Sequence, residues 1–458
     1  MDQGPGSDTM PTAFEKYAGI NVPRYTSYPT APHFSPQVSA ASYREWLEGL
    51  SPAEPISLYL HVPFCKQMCW YCGCNMKLAA RYSPVATYVR HLLEEIDLVT
   101  EALPVRMPVA HLHFGGGTPT VLEAEDLAAV MARLGTRFRL LPGAEIAIES
   151  DPRTLTDAMI EQIGALRFNR ASFGVQEFDP KVQAAINRIQ PPEMVERAIR
   201  ALRAAGVPNI NFDLIYGLPH QNVASLCRTV EQCVAMKPDR VALFGYAHVP
   251  WVAKNQRMID DGCLPNAAER AEQARAAAAT LVANGYVQVG IDHFARPGDS
   301  LAAAATDETL HRNFQGYTSD TARTLIGLGA TAIGRTPKGY VQNASENGAW
   351  SRAVAARKLP VVRGHAMRGQ DELRGNVIER IMCDGSVDLA SAGRALGFTH
   401  DWYADEIPEL LRMQEDSLLS YAGGKLTLSP GAAPLARVVA SVFDTYLRAS
   451  HVRHSVAV

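Results

Sequence analysis

The sequence is short of several things at once. Its net charge is only −3 at pH 7 over 458 residues, so it offers no broad basic surface to nucleic acid or to an anionic membrane. No uninterrupted apolar run reaches the roughly 18 residues a spanning helix needs. The N-terminal MDQGPGSDTM has neither the basic segment nor the apolar one of a secretory signal; its GPGS reads as a disordered tail. There is no internal repeat and no low-complexity block beyond an alanine bias. Only eight cysteines occur, and four of them, Cys227, Cys233, Cys263 and Cys383, are scattered through otherwise regular segments. That is no disulfide framework, and it suits a reducing cytoplasm.

The other four cysteines stand together. CKQMCWYCGC carries Cys65, Cys69, Cys72 and Cys74 within ten residues. Structural zinc usually takes two separated ligand pairs, so that a tetrahedron closes without backbone strain; no second pair follows here. Thiols that are merely buried rarely cluster this way. An iron–sulfur cluster is the strongest of the three readings, because thiolates suit it and a tight loop can wrap one face of a cubane. A C-x3-C-x2-C spacing supplies three ligands and leaves one iron open for a ligand of another kind.

The middle of the chain repeats one rhythm of short apolar strand, turn and amphipathic helix. The strand-like runs are ISLYLHV ahead of Pro63, AHLHF, AEIAIES, RASFGV, NINFDLIYG and RVALFGYAHV, the last reaching Val249. Helical patterns lie between them, near 84–101, 123–135, 154–166, 179–188, 193–205 and 223–235. Such alternation predicts βαβ units, a parallel sheet and, with six or more units, an α/β barrel. In such folds function gathers at the C-terminal strand ends. There the cysteine stretch follows the first strand and GGGTPT the second. Glu149 ends the third, Gln176 follows the fourth, Asp213 lies in the fifth and Ala247 ends the sixth. Residues 1–50, with the Pro-rich and aromatic PRYTSYPTAPHFS, read as an ordered arm. Residues 51–355 read as the barrel domain, and 360–458 as a mainly helical C-terminal domain with a short KLTLS strand.

The cysteine spacing after the first barrel strand resembles the radical S-adenosylmethionine (SAM) superfamily, with a partial (β/α)6-type barrel. PRYTSYPT, LYLHVPFCKQMCWYCGCN, HFGGGTPT, SFGVQEFD, NRIQP, FDLIYGLPHQ, YAHVP and HRNFQGYT narrow it further. From about residue 20 to the C-terminal domain they resemble the oxygen-independent coproporphyrinogen III oxidase (dehydrogenase) family. The resemblance implies oxidative decarboxylation of two propionates of coproporphyrinogen III to vinyl groups, giving protoporphyrinogen IX in haem biosynthesis. It implies a [4Fe–4S] cluster on Cys65, Cys69 and Cys72, and SAM at the open iron. The nearest alternatives are a haem chaperone of the same fold and an anaerobic haem-degrading enzyme. The fourth cysteine and the PRYTSYPT arm favour the oxidase.

Residue by residue, the resemblance sets a first SAM against Tyr59, Gly115, Gly116, Gly117, Thr118, Glu149, Gln176, Arg188, Asp213, Ala247 and Ile333. A second SAM is expected near Tyr71, Cys74, Phe244 and Gln315. Tyr71 stands where the family often has Phe. Tyr59, Cys74 and Gln315 are the expected catalytic residues, and Arg24 and Arg312 are candidate cations for the substrate carboxylates. A low-potential flavodoxin- or ferredoxin-type donor is the expected protein partner of a monomer, with neither nucleic acid nor membrane involved.

Overall fold

The computed structural model of the chain describes residues 16–448; the expected disordered tail lies outside them. The chain folds as two compact units. One is Phe34–Pro265 with Asp320–Met367, and the other joins the segment ending at His33 to Asn266–Ser319 and to the chain from Arg368 onward.

In the first unit six strands follow one another in parallel. They are β1 (Ile56–Val62), β2 (Pro108–Gly116), β3 (Arg139–Ser150), β4 (Arg170–Gln176), β5 (Asn209–Tyr216) and β6 (Arg240–Gly245). The connecting helices are α1 (Ser83–Thr100), α2 (Ala124–Arg137), α3 (Asp157–Ala165), α4 (Pro180–Ala185), α5 (Pro192–Ala204) and α6 (Val223–Ala235). Apolar and polar side chains take opposite faces of the strands. Leu58, Leu60, Phe114, Ile148, Phe173, Phe212 and Val241 are fully buried, while their sequence neighbours Tyr59, His113, Glu149, Ser172 and Asp213 carry polar groups to the opposite face. A period of two separates the faces because successive strand side chains point to opposite sides of a sheet.

The polar face is itself layered. Near the strand starts, Arg170 donates to Glu145 at 2.9 Å and to Asn211 at 2.8 Å, with Arg240 3.8 Å from Glu145. Burial pushes the Glu145 carboxyl up, but the charges of Arg170 and Arg240 outweigh it and hold the group below its ordinary value. This ion network fills the lower layer and leaves the C-terminal strand ends as the open end.

The sixth strand stops four residues short of the expected Val249. Beyond Gly245 the chain leaves the ladder, Tyr246 pairs with His248 Nδ1 at 2.7 Å, and Ala247 sits in the following loop. On the other side, β7 (Leu325–Leu328) runs parallel to β1, and β8 (Ile333–Thr336), β9 (Gly339–Asn343) and β10 (Val361–Ala366) continue the sheet antiparallel. A buried carboxylate on α1 ties these pieces together: Glu95 accepts from Gly329 N (2.6 Å), Asn343 Nδ2 (2.7 Å) and Trp350 Nε1 (3.1 Å).

The second unit is mainly helical. It contains the helices Ala267–Ala283, Asp371–Asp384 and Ile407–Glu415 and a three-stranded antiparallel sheet that includes Lys425–Leu428. Leu373, Val377, Ile381, Leu410 and Phe443 form its core. The aromatic arm belongs to that core: Tyr17, Val22, Tyr25 and Tyr28 are buried in it, and Tyr25 donates to Asp444 at 3.0 Å. No α-helix forms from Val22 to His33.

Candidate active site at the barrel mouth

The cysteine loop begins where β1 ends. Phe64–Cys65 pairs in parallel with Lys77–Leu78, closing the loop on itself. The glycine turn after β2 is its floor: Gly117 N donates to Val62 O (2.9 Å) and Thr118 N to Phe64 O (2.8 Å). A Cβ on Gly117 would lie 2.7 Å from Phe64 O, so only glycine lets the turn approach this closely. Gly116 has φ +120° and a Cβ there would strike the His61 ring at 2.8 Å. His61 in turn holds the far end of the loop. Its Nε2–H donates to Asn75 O at 3.3 Å, so its Nδ1 accepts from the Tyr59 hydroxyl at 2.9 Å. Burial lowers the His61 pKa, in keeping with that neutral tautomer.

Two residues that sequence reasoning missed secure the middle of the loop. Asn255 Nδ2 donates to Cys69 O (3.2 Å), Trp70 O (3.1 Å) and Cys72 O (2.8 Å). Gln256 Nε2 donates to Tyr71 O (2.8 Å) and Ala247 O (3.1 Å). Nothing in KNQRM marks these amides; their contacts to the cysteine loop reach about 185 positions back along the chain.

The four thiols are not equivalent. Cys69 is buried, Cys65 and Cys72 are half-buried, and Cys74 is exposed. Cys65 Sγ lies 3.4 Å from the Thr118 hydroxyl, and burial raises its pKa to about 11. Cys69 Sγ accepts from Arg153 Nη2 and Arg188 Nη1, each at 3.3 Å. Cys72 Sγ accepts from the Cys74 backbone N–H at 3.4 Å. A hydrogen bond from the Cys74 thiol holds Cys72 at about 7 against the opposing effect of burial.

Among the described residues no three His, Cys, Asp or Glu side chains converge as ligands of a single ion. A cubane makes no such demand, because each cysteine binds a different iron. The donor set fits a cluster: three thiols on one loop, each beside a hydrogen-bond donor of the kind that stabilises cluster sulfurs.

Tyr59 stacks on His113 (6.0 Å between centroids), which donates from Nε2 to Glu149 Oε1 at 3.0 Å. Glu149 also accepts from Gly116 N at 3.2 Å, next to Gly115. Asp213 stands opposite Gly174 on β4. Desolvation, and then the charge of Glu149, push its carboxyl up to about 7.

Gln176, at the end of β4, has φ +67°, and its buried Oε1 has no protein partner. An acceptor held in a sparsely populated conformation with nothing to accept from points to a ligand. Arg188 donates to Gly174 O and reaches Cys69 and Asp151. Tyr71 packs beside Trp70 on Val182, Ile186, Leu218, Tyr246 and Ile259. Phe244 is opposite Ile215 near the end of β6, and Ile333 begins β8.

Gln315 and Arg312 belong to the second unit. Gln315 is exposed in a hairpin turn, its N–H on Asn313 Oδ1 at 2.8 Å. Arg312 is buried, donates to Arg24 O at 3.4 Å, lies 4.5 Å from the centroid of the Tyr317 ring, and faces Asp292 at 3.9 Å. The Arg24 side chain is exposed.

The radical SAM superfamily profile matches residues 59–233. An oxygen-independent coproporphyrinogen III oxidase of Bradyrhizobium diazoefficiens is 48% identical over 96% of this chain and 98% of its own length. The chain belongs to the oxygen-independent coproporphyrinogen III oxidase family of radical SAM enzymes. A family member from Paracoccus denitrificans is 41% identical over 95% of this chain and 96% of its own. Among solved structures, coproporphyrinogen III oxidase from Escherichia coli, a radical SAM enzyme, superposes with a TM-score of 0.89 at 34% identity. That match covers 92% of this chain and 97% of the other. Membership in the superfamily implies a [4Fe–4S] cluster and SAM. Among the described residues, no helix is long and apolar enough to cross a membrane.

Proposed function

We propose that this enzyme converts two propionate side chains of coproporphyrinogen III to vinyl groups without oxygen, giving protoporphyrinogen IX. The observation that carries the reading is the cysteine loop. Its first three thiols each sit beside a hydrogen-bond donor at the C-terminal ends of the parallel strands, and Cys74, the most exposed of the four, is itself the donor to Cys72.

The cluster and SAM, when bound, supply a 5′-deoxyadenosyl radical by one-electron reductive cleavage of SAM. That radical suits the substrate, because a propionate β-carbon is unactivated and no protein base can remove its hydrogen as a proton. Loss of the β-hydrogen atom, of CO2 and of one further electron leaves the vinyl group; the electron goes to an external acceptor.

This chain's residues bind and orient. Cys65, Cys69 and Cys72 hold the cluster. Backbone of Gly115–Gly117, with Glu149, Asp213, Gln176 and Arg188, suits a zwitterion joined to a ribose. Carboxylates and an amide take the ammonium and hydroxyls, and a guanidinium takes the carboxylate. Tyr59, Thr118, Ala247 and Ile333 complete the pocket for one SAM. Tyr71, Cys74 and Phe244 are the residues of this unit assigned to a second, with Tyr59 and Cys74 catalytic. A low-potential flavodoxin- or ferredoxin-type protein is the proposed electron donor to a cytoplasmic monomer.

The test is anaerobic incubation of reduced, reconstituted protein with SAM and coproporphyrinogen III. Protoporphyrinogen IX with 5′-deoxyadenosine is the expected outcome. Tight haem binding with neither product would instead mark a haem chaperone.

A further inference from the structure

The ESDPR stretch that ends β3 contributes more than Glu149. Arg153 and Asp151 face each other with side chains only 4% and 10% exposed. Arg153 Nε donates to Asp151 Oδ1 (2.9 Å) and Oδ2 (3.1 Å), and its Nη2 to Oδ2 (2.6 Å). The same Nη2 reaches Cys69 Sγ at 3.3 Å, while Nη1 is buried with no protein partner. Arg188, 7% exposed, donates from one nitrogen to both Cys69 Sγ and Asp151 Oδ2, at 3.3 Å each. Two guanidiniums therefore share one carboxylate and one sulfur.

Such a cluster of charge is expensive as a structural device. Two buried cations have one carboxylate between them within hydrogen-bond reach, and an apolar packing of the same volume often folds at lower cost. An anionic ligand on Cys69 removes the imbalance. A cluster also becomes more negative when it takes up an electron. N–H donors and cations beside a ligand sulfur stabilise that reduced form and raise the reduction potential.

We propose that Arg153, held in place by Asp151, is a positioning residue that sets the cluster's reduction potential through the sulfur of Cys69. The inference rests on the cluster reading above. Arg188 alone does not suffice for this role, because Nε and one N–H of Nη2 are on Gly174 O and the remaining Nη2 N–H is the one left for the SAM carboxylate proposed above. Arg153 brings the second donor, and the Asp151 clamp fixes its fork.

The experiment is a potentiometric titration of the reconstituted full chain, followed by the electron paramagnetic resonance signal of the reduced cluster. Iron and sulfide are counted in every sample. Arg153→Gln is expected to keep its iron and shift the midpoint to a more negative potential. Arg153→Lys, which keeps the charge but loses the fork, should shift less in the same direction. Asp151→Asn, which removes the countercharge, should shift it the opposite way. A merely structural role gives no reason for opposite signs.

Equal midpoints in fully loaded wild type, Arg153→Gln and Asp151→Asn overturn the proposal. If Arg153→Gln does not hold iron, Arg153→Lys and Asp151→Asn decide it, and an unshifted midpoint in both is the overturning result. A wild-type chain that takes up no iron and sulfide overturns the cluster reading itself, and this inference with it.

Discussion

Individual residues carry the sharpest distinctions in this protein. Cys65, Cys69 and Cys72 differ from Cys74 in burial and in partners, so their substitutions should differ in kind. Replacing any of the first three with alanine is expected to abolish cluster assembly, seen as loss of the roughly four irons and four sulfides per chain. Cys74→Ser should retain that iron and lose turnover; loss of the iron instead would show that Cys74 is a ligand. Asp213 makes a second prediction. Its carboxyl is pushed up to about 7, so near neutral pH only part of the population is ionised. A cationic or hydroxyl-bearing ligand favours the ionised form, so SAM should bind more tightly as pH rises from 6 to 8. In Asp213→Asn that component of the pH dependence should vanish, as isothermal titration calorimetry at several pH values would reveal.

At the scale of elements, the site depends on segments that hold the cysteine loop without touching its chemistry. Asn255 satisfies three loop carbonyls from one side-chain amide. Asn255→Ala strips them of that donor, a loss of about 1–3 kcal/mol if the carbonyls stay buried. It should speed iron loss to a chelator and also lower the thermal midpoint of the apo protein, since the three hydrogen bonds exist without the cluster.

Helix α1 offers a contrasting case. Burial raises the Glu95 pKa from 4.5 to about 7 even though three donors favour its charged form. A folded-state pKa raised above the unfolded value means that this group's stabilisation is complete below about 4.5 and declines as pH rises toward 7. Glu95→Gln sets an amide N–H against one of those donors, which should cost about 1–3 kcal/mol. It also lacks the ionisation. The gap between wild type and variant in urea unfolding should therefore be wider at pH 5 than at pH 8.

For the molecule as a whole, all eight cysteines are free thiols. Reductant alone should not shift the thermal midpoint of the apo protein, and a scan with and without it checks this. The six parallel strands and their helices were legible in the sequence to within a few residues at most ends, because short apolar runs alternate there with amphipathic helical ones. The same reading exposed Glu149 and Asp213 as charged residues on apolar strands. Less legible was how the chain groups. Reading along it puts divisions near residues 50 and 355–360, whereas the compact units change over at His33, Pro265, Ser319 and Met367. Local composition does not report which distant segment covers an apolar face; the aromatic rings of the arm and the core of the helical unit are far apart in sequence.

The sequence by itself determined which atoms are available: three thiols at x3 and x2 spacing, a fourth two residues further on, and glycines where backbone must touch backbone. Periodicity and spacing are local properties, and the chain states them directly. Only the tertiary structure decided what surrounds those atoms: Asn255 and Gln256 over the loop carbonyls, Arg153 and Asp151 beside Cys69, and Glu95 beneath the sheet. Each is a hydrogen bond or ion pair between segments remote in the chain. Its existence depends on strand register and on the direction a side chain takes once packed, and no local pattern carries that information.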